Sequence, residues 1–102
     1  MAYRITRLAD EDLVSIARYT TQQWGEAQCR TYIEELFILF ERVGHTPLTS
    51  PAADYIQPGL RKQSYPNRLH VVYFRIGDDG IVEILRVLHA HQNRDNAFER
   101  EI

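Results

Sequence analysis

The stretch RLHVVYFRIGDDGIVEILRVLH, Arg68 to His89, consists of two runs of branched and aromatic residues joined by Gly-Asp-Asp-Gly. Such residues suit a pleated, half-buried surface. A short Gly/Asp connection between two such runs reads as an antiparallel hairpin, with strands over Arg68–Ile76 and Ile81–His89. In the first strand His70, Val72, Phe74 and Ile76 share one face, the better core candidate, and Leu69, Val71, Tyr73 and Arg75 share the other. In the second, Val82, Ile84, Arg86 and Leu88 alternate with Ile81, Glu83, Leu85, Val87 and His89. Both faces of that strand are largely apolar, which implies a central strand covered on both sides, a partner being one source of the second cover. An arginine inside such a strand, Arg86, needs an anion or a hydrogen-bonding neighbour.

Working outward, LRKQSY (Leu60–Tyr65) is a more polar strand that extends the hairpin to a three-strand meander. Upstream, GHTPLTSPAADYIQPG is rich in Pro and Gly and reads as a long loop, the least structured part of the chain. From Glu26 to Val43 the residues Cys29, Ile33, Leu36, Phe37, Phe40 and Val43 recur at helical spacing. A second stripe, Leu13, Ile16, Ala17, Thr20 and Trp24, runs through DEDLVSIARYTTQQW. Gly25 alone separates the two, so the simplest arrangement is an antiparallel helix hairpin. YRITRLA, Tyr3 to Ala9, alternates as a short strand. The order β-α-α-β-β-β predicts an α+β domain, with the helix hairpin packed on a small, mainly antiparallel sheet. One domain is expected over residues 1–102, with 90–102 as a polar tail.

Composition narrows the function. At 44% hydrophobic and 25% charged residues the chain has ordinary globular values. It has no apolar run long enough to span a membrane and no signal-like start, so a cytoplasmic protein is expected. A formal charge of -2 argues against binding nucleic acid by gross electrostatics. The charge is uneven, however: Arg61, Lys62, Arg68 and Arg75 lie in a stretch without an acid, Tyr55 to Gly77, which suggests a local anionic contact. Cys29 stands alone and reads as a small core residue.

His89 and His91, two apart at the end of the last strand, raise the question of a metal. A zinc site needs three or four ligands, and no further Cys/His pair sits at a useful spacing, so no metal or other cofactor is expected. Metal-free RNA cleavage needs only proton-transferring groups and cations near the phosphate, which His70, His89 and His91 with Arg61, Arg75 and Arg86 could supply. The plainer reading is that His89 ends the strand and His91 is solvated.

YTTQQWGEAQCRTYIEEL, GLRKQSY and HVVYFRIGDDGIVEILRVLH, taken in this order, resemble the toxins of the RelE/ParE superfamily, on the ParE side of it. The likeness spans residues 3 to 90 and rests on the Trp24-Gly25 joint, the Gly59-Leu60-Arg61 entry and the Arg86-Val87-Leu88-His89 ending. It implies the toxin of a bacterial type II toxin–antitoxin system. ParE-like toxins inhibit DNA gyrase by binding it and are neutralised by a ParD-like antitoxin, whose C-terminal segment folds onto the toxin. In that reading the pair is a hetero-oligomer in which DNA is contacted by the antitoxin rather than by this chain, and Arg61, Arg75, Arg86 and His89 face a partner. The alternative within the superfamily is a RelE-like ribosome-dependent mRNA endoribonuclease, with Arg61, Arg86, His89 and His91 as its site. The sequence departs from the ParE pattern after Pro47, where LTSPAADY replaces a Gly-Arg pair, and in its polar tail, where only Phe98 and His91 could stand in for a stacking or acid/base group. An enzyme is thus the less expected outcome.

Overall fold

The hairpin read from Arg68 to His89 is the centre of the sheet. A computed structural model of the chain describes residues 3–65 and 69–90. The elements are β1 (Tyr3–Ile5), α1 (Arg7–Trp24), α2 (Glu26–His45), a 3-10 turn (Pro47–Thr49), β2 (Arg61–Ser64), β3 (His70–Ile76) and β4 (Val82–His89). The four-stranded sheet has the order β1-β4-β3-β2. β1 runs parallel to β4, and the β2-β3-β4 meander is antiparallel, so the sheet is mixed.

β1 is shorter and α1 longer than the sequence pattern suggested, because Thr6 stops one and starts the other. Its Oγ1 accepts the Ala9 backbone N–H at 3.1 Å, an N-cap, and donates to the Leu85 carbonyl at 3.0 Å. That cap satisfies one of the helix's orphan donors and ties the helix start to β4. Gly25, with φ of +90°, then turns the chain between the helices in a backbone conformation that side chains resist.

The helix hairpin covers one sheet face. Leu13, Ile16, Leu36, Leu39, Phe40 and Val43 from the helices meet Val72, Phe74, Val82, Ile84 and Val87 from the strands. Several residues depart from the expected core positions, among them Phe37, which is exposed on the second helix. Trp24 is 70% exposed at the hairpin tip, and Ile76 also faces solvent. Cys29 is half-buried, with its Sγ 3.4 Å from the Ala17 carbonyl.

Strict alternation along the last strand fails at a bulge. Tyr73 pairs with Arg86 but Phe74 with Ile84, leaving Leu85 as the extra residue on β4. Past the bulge Val87 joins the helix-side core and Leu88 moves to the opposite face. That second face is covered by the chain itself: Ala53, Ile56 and Leu60 pack on Val71, Tyr73, Leu85 and Leu88. The long connection is therefore built into the core rather than loose. It is anchored by Ala53 N–H to the Leu60 carbonyl at 2.7 Å and by an Ala52–Arg61 bridge.

Candidate partner-facing site

Arg61, Arg75 and Arg86, the described arginines singled out from sequence, each have an acceptor within the chain. Arg61, on β2, donates from Nη1 to the buried Ser50 carbonyl at 2.7 Å. Arg75, on β3, donates from Nε to Glu83 at 2.7 Å. Glu83 also takes Arg4, which reaches Asp79 in turn. Hydrogen bonds from Arg75 and then Arg4 hold the Glu83 carboxyl below the usual carboxylate range, and Arg4 does the same for Asp79. This network staples β1 to the β3–β4 hairpin.

Arg86 is the most enclosed of them. Its Nε and Nη2 grip the two oxygens of Asp12 at 2.8 and 2.9 Å, with both side chains only 14% exposed. Asp12 Oδ2 also accepts the Val87 N–H at 2.9 Å. The anion required by an arginine inside an apolar strand is thus supplied by the second turn of α1. The sequence pattern gave that acid no role of its own, and nothing local distinguishes it from Asp10.

At the far end of β4, His89 pairs across the sheet with His70, their rings 5.6 Å apart and nearly perpendicular. His70 is 8% exposed, and its Nδ1 lies 2.5 Å from the Tyr32 hydroxyl. Burial pushes its pKa down to about 4; His89 adds to that and Asp12 opposes it. The ring is therefore neutral at physiological pH. Tyr32 stacks at a tilt on Tyr65, ring centroids 4.9 Å apart, and the Tyr65 hydroxyl donates to Glu35. Burial, then that carboxylate, pushes the Tyr65 phenol well up. Tyr32, Tyr65 and Glu35 lie within stretches quoted for the resemblance, but the sequence pattern assigned them no role.

Two shallow cavities meet at this corner. One, about 260 Å³, is lined by Asp12, Ser15, Ile16, Tyr19, His70, Val87 and His89. The other, about 270 Å³, shares Tyr19 and His70 and runs to Trp24 and Leu69. Their rim carries the exposed aromatics Tyr19 and Trp24, residue types enriched at protein interfaces. Three of the sequence candidates do not share one face. By register Arg75 lies on the Tyr73 face, whereas Arg61 is opposite Phe74 and His89 opposite His70 on the helix side. His91, Phe98 and Arg68 lie outside the described residues, as does the tail beyond Ala90. Among the described residues no three His, Cys, Asp or Glu side chains converge as a metal set, and no helix is long and apolar enough to cross a membrane.

A helix hairpin clamped to a four-stranded mixed sheet, with the sheet's described arginines bonded internally and aromatics at the rim of its cavities, defines a small α+β domain. The family model described as "ParE toxin of type II toxin-antitoxin system, parDE" matches residues 3–94, and the chain belongs to that family. Toxin ParE1 of Mycobacterium tuberculosis is 31% identical over 93 residues, covering 91% of this chain and 93% of the relative. Toxin ParE1 of Caulobacter vibrioides is 35% identical over 91 residues, 89% and 91% of the two chains. The fold matches a chain of a structure described as the chromosomal ParDE TA system from P. aeruginosa, with a TM-score of 0.78 at 18% identity over 89% of this chain and 97% of that one. The protein is thus a ParE-type toxin of a type II toxin–antitoxin system, and the ParE side of the resemblance holds.

Proposed function

We propose that this toxin arrests growth by binding DNA gyrase and is neutralised by a ParD-like antitoxin in a cytoplasmic hetero-oligomer. The observation that carries the binding reading is the internal engagement of the sheet arginines. Stabilising a developing phosphate charge calls for cations free to meet it. Here Arg86 is gripped by Asp12, Arg75 by Glu83 and Arg61 by the Ser50 carbonyl. His70, with a pKa near 4, is a poor proton donor at neutral pH. These features favour surface recognition over RNA cleavage. The rim of Tyr19, Trp24 and Leu69 supplies partly exposed apolar area for a protein partner.

The test pairs two assays on the purified toxin: gyrase-catalysed supercoiling, and integrity of a message under translation. Inhibited supercoiling, relieved by the small protein encoded beside the toxin gene, with the message left intact, is expected. Unimpaired supercoiling with specific cuts in the message would overturn the proposal in favour of the ribonuclease.

A further inference from the structure

The outer face of α2 carries a pattern that fits itself. Its neighbours Leu36, Leu39 and Phe40 are buried, yet Ile38 is 68% exposed. With Glu35, Leu39, Arg42 and Tyr65 it lines a groove of about 240 Å³. Along the helix the groove therefore reads acid, apolar, apolar, base at positions 35, 38, 39 and 42, spacings that place all four on one side. Tyr65 is held in the groove wall by its hydroxyl bond to Glu35. Among the described residues Arg42 has no carboxylate partner.

The pattern is symmetric about the point between residues 38 and 39. Laid antiparallel on a second α2 about a twofold axis through that point, the exposed Ile38 of one copy meets Ile38 of the other, above the groove floors that the buried Leu39 side chains form. Glu35 of each then meets Arg42 of its mate. A twofold interface requires a surface complementary to itself, and this stripe meets the requirement in both apolar contact and charge sign. The groove is large enough for an isoleucine side chain, so each Ile38 can seat as a knob beside the facing Leu39 and Tyr65.

We infer that the free toxin self-associates through α2, with a second copy of this chain as the occupant of the groove. A single helix face is smaller than the roughly 1,200 Å² that stable interfaces bury, so the dimer is weak and readily displaced by a competing partner. The rim charges set the antiparallel register more than the affinity.

Sedimentation of the purified full chain over a concentration series tests this. A concentration-dependent dimer is expected, weakened at least about tenfold by Ile38→Asp and by Arg42→Glu, a discrimination of the size one well-placed interface contact commands. The double variant Glu35→Arg with Arg42→Glu reverses the charges but keeps the symmetry, and should recover most of the dimer. Arg30→Glu, about 18 Å up the same helix, should change nothing. Because Ile38 and Arg42 are exposed, both variants should melt as the parent does. A monomer at all concentrations, equal dimerisation by Ile38→Asp, no recovery in the double variant, or an equal loss from Arg30→Glu would each overturn the inference. Loss of antitoxin binding in Ile38→Asp with unchanged self-association would assign the groove to the antitoxin instead.

Discussion

Acid should unfold this protein earlier than its carboxylates alone require, and His70 is the reason. Its pKa is held at about 4 in the folded chain, against 6.5 as the ordinary value, chiefly by burial. Above pH 6.5 folded and unfolded chains both carry the neutral ring, so its stabilising contribution is complete. Between pH 6.5 and about 4 only the unfolded chain takes up the proton, and stability falls. Each pKa unit corresponds to about 1.4 kcal/mol, so the loss between pH 7.5 and 5 is about 2 kcal/mol. The facing groups do not cancel it: His89 opposes protonation, Asp12 favours it but is already gripped by Arg86, and either tautomer of the neutral ring keeps the Tyr32 bond. For a domain near 100 residues this lowers the melting temperature by on the order of 10 °C. The assay is chemical denaturation of wild type and His70→Gln across pH 7.5 to 5. The wild type should lose about 2 kcal/mol more than the variant over that range. Parallel pH profiles would show that His70 titrates normally in the fold and would refute the burial argument.

Four other perturbations follow from the same structure. Asp12→Ala leaves the Arg86 guanidinium enclosed without its anion and should cost about 3 kcal/mol in denaturant unfolding; a loss below about 1 would mean that water replaces the carboxylate. Gly77→Ala places a Cβ 2.9 Å from Arg4 Nη2 and 3.0 Å from the Ile81 carbonyl. The arginine tip can yield but the backbone cannot, so a loss of about 1 to 2 kcal/mol is expected in the same measurement. Thr6→Ala removes the α1 cap and its tie to Leu85, and a thermal melt should register about 1 kcal/mol. Trp24→Ser should leave stability within about 0.5 kcal/mol while weakening partner capture in a pull-down; a loss of 2 kcal/mol or more would restore Trp24 to the core.

The element order was legible because hydrophobic period is a local property. Branched runs around Gly-Asp-Asp-Gly gave the hairpin, and the stripe from Leu36 to Val43 gave the second helix. Trp24 fitted its stripe by spacing alone, but it is the last residue of its helix and is left exposed at the hairpin tip. Even the need of Arg86 for an anion could be stated in advance, since an enclosed charge is costly wherever it sits.

The chain order alone thus determined that an α+β meander with a helix hairpin would form, and the motifs along it pointed to the toxin family. Only the tertiary structure decided what the charged and polar residues do. The partner of Arg86 is 74 residues away, that of His70 is 38 away, and that of Tyr65 is 30 away. Such pairings depend on how the hairpin settles on the sheet and on one extra residue, Leu85, that turns Val87 and Leu88 to opposite faces. A pattern of period two or 3.6 carries no record of either, because it encodes which side of an element faces inward but not which element lies opposite.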